Sequence, residues 1–234
     1  MSILDFLFPK KCISCKKLGD YICTDCFTYL SFNDSSICLV CNKPAINGLT
    51  HPGCQTRYSI DGSFSSIIYN PIAKKLIYNF KYKPYLSDLR SLLSELFYEG
   101  IIQNETLART IQQLNHKTIV LVPIPLHSSK LKKRGYNQAE ILAKGLSERL
   151  GIPCSDVLIR NKNTKTQFKL DRKERAENMH GAFAVRSNIS ISKYPNILLV
   201  DDILTSGSTL LECSNVLKRA GAKKVFGLTL AREQ

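Results

Sequence analysis

N-I-L-L-V-D-D-I-L-T-S-G-S-T, residues 196–209, decides how this chain reads. Ile197 to Val200 is a short apolar run and predicts a buried strand. Asp201 and Asp202 follow at the expected C-terminal end of that strand. Thr205, Ser206, Gly207, Ser208 and Thr209 make a small polar loop, and Leu210, Leu211, Ser214 and Leu217 behind it have helical spacing. In an open α/β sheet, ligands bind beyond the carboxyl ends of the strands, against helix N-termini. The loop offers hydroxyls, a glycine that permits close backbone approach, and helix amides without internal partners, a combination that suits phosphate. The two carboxylates would repel phosphate and suit sugar hydroxyls or a bridging Mg²⁺ instead. The plainer alternative is a strand–turn–helix whose acids cap the helix and bind nothing.

This pattern resembles the phosphoribosyl pyrophosphate (PRPP) loop of type I phosphoribosyltransferases: an apolar strand, two acids, two variable residues, then T-[TS]-G-x-T. The resemblance implies Asp201 and Asp202 as ribose-binding acids, Thr205 to Thr209 as the 5′-phosphate loop, and Mg²⁺ arriving with PRPP. It also implies a parallel α/β sheet flanked by helices.

The 234 residues suffice for one medium domain and a small one. Hydrophobic residues are 44% and charged residues 22%, an ordinary globular balance. The formal net charge of +14 is not ordinary and favours an anionic partner: nucleic acid, anionic lipid or a phosphorylated ligand. Excess lysine serving only solubility is the competing explanation. No run approaches the roughly 20 apolar residues of a membrane span. The apolar start, I-L-D-F-L-F-P, lacks a basic segment ahead of it and does not read as a signal peptide. The expectation is a cytoplasmic protein.

Seven of the nine cysteines fall between Cys12 and Cys54. They form ligand pairs in order: Cys12 with Cys15, Cys23 with Cys26, Cys38 with Cys41, and His51 with Cys54. Each two-residue spacing is a knuckle that aims both side chains at one cation, and two knuckles complete a closed tetrahedral zinc site. Sequential pairing gives two zinc ribbons; cross-braced pairing and a reduced or disulfide-bonded cluster are the alternatives. The all-cysteine quartet is the stronger signal, since the second set contains a histidine. The expected division is a zinc-ribbon domain over residues 1–58, holding one or two structural Zn²⁺, and a phosphoribosyltransferase-like domain over 59–234. Because the first segment has little apolar content, chelation is expected to unfold it alone.

Residues 63–69 predict a strand, and Asn70-Pro71 opens a helix with Ile72, Leu76, Ile77 and Phe80 on one face. Lys74, Lys75, Lys81 and Lys83 interleave with Tyr78, Tyr82 and Tyr85. Bases stack on such rings while lysines hold phosphates, although core aromatics beside a solvated basic face would look the same. Residues 86–113 are broadly amphipathic, and 118–125 predict a second buried strand. The basic stretch that follows, with Lys130, Lys132, Lys133, Arg134 and Gly135, is expected to be a loop. In type I phosphoribosyltransferases such a loop holds pyrophosphate; a solvated charge run is the alternative. His127 reads as an ordinary loop histidine. A helix is expected over 137–150, strands at 157–159 and 181–185, a helix over 208–220 and a last strand over 224–231. Cys154 and Cys213 read as incidental.

Three stretches now coincide: V-P-I-P-L…K-R-G-Y-N-Q-A, R-x3-T-x2-Q-x2-L-x4-R-x2-N-x3-A-F, and V-D-D-I-L-T-S-G-S-T. With the cysteine pairs they resemble the ComF family of competence proteins over essentially the whole chain. The family-type positions are Arg134, Asn137, Gln138, Thr166, Gln167, Arg175 and Asn178. The resemblance implies a role in natural transformation, in which single-stranded DNA is handled in the cytoplasm beside a helicase-like partner. The alternative is an active Mg²⁺-dependent phosphoribosyltransferase. For that activity the residues themselves name neither a catalytic group nor an acceptor, and no segment reads as a hood over a purine or pyrimidine.

Overall fold

The computed structural model describes residues 9–32, 36–83, 87–114, 118–164 and 172–233. Thr166, Gln167 and Tyr85, singled out above, lie outside the described residues.

Four parallel strands form the sheet, in the order β1-β6-β5-β2: β1 is Gly62–Ile68, β2 Ile119–Pro123, β5 Asn196–Leu204 and β6 Lys224–Arg232. Strand side chains alternate between faces, and the two cores divide accordingly. Ile119, Leu121, Leu198, Val200, Leu228 and Leu230 enter one buried cluster; Val120, Val122, Ile197, Leu199 and Val225 enter the other. The first face is covered by α2 (Pro71–Tyr82), α3 (Ser87–Ile102), α4 (Glu105–Gln113) and α6 (Gln138–Leu150). The second is covered by α8 (Ser208–Arg219), α7 (Arg172–Met179) and a two-stranded antiparallel arm of β3 (Leu158–Arg160) and β4 (Phe183–Val185).

The helix starts follow capping chemistry. Asn70 accepts from the amides of Ile72 and Ala73, Asn104 from Leu107, and Asn137 from Ala139. Asn104 divides the amphipathic stretch over 86–113 into α3 and α4.

Two local expectations are corrected. The basic stretch after β2 is a short helix, α5 (Ser128–Arg134), capped by His127 and closed by Gly135 at φ 80°. Charge density hid its i→i+4 continuity, and the left-handed glycine is the stop signal. Strand β5 does not end at Val200 but carries both acids inside it, with Asp201 opposite Thr229 and Leu204 opposite Arg232. Strand β6 extends alongside and keeps the ladder closed, so acidic side chains alone do not terminate the strand.

The cysteine region is seated on this body. Its short helix α1 (Thr24–Phe27) carries Cys26. Cys12, Ile13, Ile22, Cys23 and Cys26 join the first core, whereas Leu39 joins the second. Between them Phe32 bridges Ile67 on β1. The connection into the body is locked at Asp61, which is buried between Lys218 (2.6 Å) and Lys224 (3.0 Å) and accepts the amide of Val225 at 2.8 Å. Removing one partner of a buried pair leaves an uncompensated charge. Asp61→Ala is therefore expected to cost about 3 kcal/mol or more in urea unfolding; a loss below about 1 kcal/mol would show that Lys218 finds water instead.

Candidate functional site: an acid pair beside a cluster of cations, and two cysteine clusters

Strand β2 stops at Pro123, opposite Val200, while β5 runs four residues further. Asp201 and Asp202 therefore lie past the end of their neighbour, at the mouth of the crevice. The pocket there is about 180 Å³, bounded by Lys81, both acids, Thr205, Gly207 and Thr209. Larger concavities occur beside the second ribbon and between the first ribbon and α3, but neither lies at the carboxyl ends of the strands.

Gly207 caps α8 at φ 76° and supplies no side-chain acceptor to it. The Ser206 and Ser208 hydroxyls lie 2.9 Å apart. The loop thus presents hydroxyls and first-turn amides together, the arrangement that accepts a phosphate.

The acids sit in contrasting surroundings. Asp202 is paired with Lys81 at 2.9 Å, both side chains largely buried. Asp201 accepts the Asp202 amide at 2.8 Å. Burial, and secondly the neighbouring Asp202 charge, raise the Asp201 carboxyl to about 7, against the opposing pull of Lys81 and Arg160. Burial works to lower the Lys81 ammonium, but Asp202, with Asp201 behind it, outweighs that and holds it above its usual value. Lys130 is pushed down by burial and by Arg160, Arg134 and Lys81. Burial also lowers Arg160, against the attraction of Asp201. Lys81 and Arg160 thus act directly on the two carboxylates, and Lys130 and Arg134 stand next to those cations, a basic cluster that favours a polyanion bringing its own Mg²⁺. Asp201 and Asp202 are hard oxygen donors that would hold that ion together with ligand oxygens; such an ion would neutralise polyphosphate charge.

Of the residues expected here, Lys130 and Arg134 join the cation cluster next to Lys81, whereas Lys133 and Gly135 are exposed. Gln138 is buried, accepts from Arg134 at 3.0 Å, and has an amide nitrogen with no hydrogen-bond partner. Asn137 donates to the Ile124 carbonyl at 3.0 Å, tying α6 to the end of β2. Arg175 and Asn178 are carried by α7.

Sequence reasoning left Lys81 and Arg160 out of the site. Lys81 follows buried Ile77 by four residues and so faces inward, a signal visible in the helical spacing. Arg160 heads the R-x3-T motif and donates to the Thr164 hydroxyl.

Beside the pocket, Tyr82 and Tyr78 are half-exposed rings with centroids 4.9 Å apart. The Arg134 guanidinium lies 5.2 Å from the Tyr82 centroid and reaches its hydroxyl at 3.4 Å. One helix thus turns Lys81 into the pocket and the two tyrosines outward. Lys74, Lys75 and Lys83 are exposed along it.

The ligand atoms of Cys12, Cys15, Cys23 and Cys26 lie within 4.8 Å of one another, as do those of Cys38, Cys41, His51 and Cys54. Pairing is therefore sequential, and the cross-braced scheme is excluded. The Cys12–Cys15 and Cys38–Cys41 knuckles share one backbone form. The residue after the second cysteine is left-handed, Lys16 at φ 71° and Asn42 at φ 60°, and its amide returns to the first cysteine's carbonyl. His51 Nε2 lies 2.9 Å from the Pro44 carbonyl and donates to it, leaving Nδ1 to face the sulfurs, with Cys41 Sγ at 3.3 Å. Such an outer bond fixes the tautomer of a ligating histidine. These donor sets fit structural Zn²⁺.

The phosphoribosyl transferase domain family matches residues 99–233, and the double zinc ribbon domain family matches residues 3–55. "DNA utilization protein YhgH" of Salmonella typhimurium is 30% identical over 167 residues, 70% of this chain and 69% of that protein. The chain belongs to the ComF family. Its phosphoribosyl transferase domain carries the acid pair and loop, and its ribbon carries both cysteine clusters. "Competence protein F" of Haemophilus influenzae is 38% identical to this ComF protein over 113 residues, about half of each chain. "Competence protein ComFC" of Bacillus subtilis is 27% identical over 231 residues, 92% of this chain and 86% of that one. Among the described residues of this ComF protein, no helix is long and apolar enough to cross a membrane.

Proposed function

We propose that this protein handles single-stranded DNA in natural transformation, on a basic aromatic surface beside a Mg²⁺-dependent PRPP-type pocket. Relatives named for competence and for DNA utilization support the role. The observation that carries the DNA reading is the exposed Tyr78–Tyr82–Arg134 cluster, flanked by exposed lysines and adjoining the pocket through Lys81. Stacked aromatics accept any base, and cations along them track the backbone. The cytoplasm is where the incoming strand would be met, beside the helicase-like partner that the family resemblance implies.

The test is fluorescence anisotropy of a labelled single-stranded oligonucleotide over a salt series. Binding is expected to fall steeply with salt. Tyr78→Ala with Tyr82→Ala is expected to cost about 1–3 kcal/mol per stacked base. Neutralising one phosphate-contacting lysine is expected to flatten the salt slope by about one unit. Tight binding indifferent to all of these changes would refute the surface.

A second reading, a working phosphoribosyltransferase, is favoured by the cation cluster. In this reading Lys81, Lys130, Arg134 and Arg160 would supply the oriented donors that a departing pyrophosphate needs. Release of pyrophosphate from PRPP in an acceptor screen, lost in Lys130→Met, would establish it.

A further inference from the structure

The two metal knuckles do different work on the body of the protein. In each, the residue after the first cysteine is an apolar plug: Ile13 enters the core under α2 and α3, and Leu39 enters the opposite core. Leu39 is 1% exposed although it stands between two ligands, whereas its neighbour Val40 is 38% exposed. What Leu39 covers is the phosphate loop. A Cβ placed on Gly207 would lie 3.0 Å from Leu39 Cδ2, 3.4 Å from Cδ1 and 3.5 Å from Cγ. Leu39 also shares its buried cluster with Leu204 and Leu210, the apolar residues on either side of the loop.

We propose that Leu39 is a positioning residue for the phosphate loop and that metal at Cys38, Cys41, His51 and Cys54 holds it there. The second ribbon is then part of the anion site, not an independent module. The main-chain bonds that help close the knuckle belong to a short hairpin: Asn42 to Cys38, Cys38 to Lys43 and Ala45 to Ser36. A hairpin of that size is marginal alone. With metal, the Cys38–Cys41 turn is rigid and presses Leu39 onto the left-handed Gly207, whose conformation aims the first amides of α8. Coupling of this kind is reciprocal: an anion that orders the loop also tightens metal in the second cluster. That last consequence rests on the phosphate reading of the loop; the buttress does not.

The experiment is hydrogen exchange on the full chain, with zinc counted per chain by elemental analysis. Leu39→Ala is expected to keep both zinc ions, yet speed exchange at Leu211 to Cys213, whose helix bonds start from the Gly207 carbonyl, tenfold or more, leaving β6 unchanged. Leu39→Met, which preserves volume, is expected to restore near-native rates. Cys41→Ser is expected to lose one zinc and speed the same amides. Unchanged loop exchange in Leu39→Ala would overturn the proposal, whatever Cys41→Ser does to the global fold. In a separate arm, Mg²⁺-PRPP is expected to slow loop exchange and to slow zinc loss to a chelator. If PRPP does neither while Leu39→Ala still loosens the loop, the PRPP reading fails and the buttress stands.

Discussion

Replacing both acids, Asp201→Asn with Asp202→Asn, is expected to abolish Mg²⁺-dependent PRPP binding, a fall of a hundredfold or more by titration calorimetry. Each carboxylate would offer charge-assisted bonds to ribose hydroxyls or to the ion, worth about 1.5–3 kcal/mol apiece. Losing two such groups exceeds 2.7 kcal/mol, the equivalent of a hundredfold. Unchanged affinity in the double variant would remove the pocket assignment. The same site predicts a pH dependence. Asp201 is raised to about 7 by burial and by Asp202. An ion and a diol both need it ionised, so affinity should climb as pH rises from 6 towards 8 and then level off. Its effect on folding has the opposite sign. A carboxyl whose folded value exceeds its unfolded value of about 4 binds more protons in the folded state between those limits. Its contribution to stability is therefore greatest at low pH and is lost as pH climbs through about 7. Asp201→Asn should raise the melting temperature more at pH 8 than at pH 5, while destroying binding. A melting profile unaffected by pH in the ligand-free protein would mean that Asp201 is solvated.

Stripping zinc is expected to do more than unfold residues 1–58. Structural zinc supplies apparent free energies of about 10–16 kcal/mol in small metal domains, comparable with the whole stability of a typical chain. Here the ligands are not on a detached module. Cys12, Cys23 and Cys26 share a buried cluster with Phe64, Leu76, Phe80 and Leu89, and Leu39 belongs to the other face of the sheet. Removing both ions should therefore lower the melting transition of the entire chain by more than 10 °C and expose β1 to proteolysis. An unfolding transition confined to the first 58 residues, with the sheet unchanged, would restore the expectation drawn from composition.

The contrast shows what the sequence could carry. The metal ligands, the strand–acid–loop–helix order and most helix starts are local patterns, and each was legible in its spacing. Asn70 and Asn137 cap helices as short polar residues ahead of apolar periodicity should, whereas the break at Asn104 inside residues 86–113 was not read. What escaped depended on three-dimensional neighbours. Asp201 and Asp202 stay in β5 because β6 runs beside them. Lys81 and Arg160 reach the acids from elements 121 and 41 residues before Asp202 and Asp201, respectively, a distance that no local pattern spans. The docking of Leu39 on Gly207 likewise joins residues whose spacing is set by the fold alone.

Both outer strands of the sheet have their free edges occupied. On one side, Phe32 bridges Ile67 and the Ile68 amide donates to Ser31; on the other, Leu121 bridges Cys154 and donates to Pro153. An open strand edge invites pairing with another chain. The ribbon segment thus acts as a cover for the β1 edge, as the turn at Pro153 does for β2. A chain begun at residue 59 would bare that edge and is expected to self-associate through it.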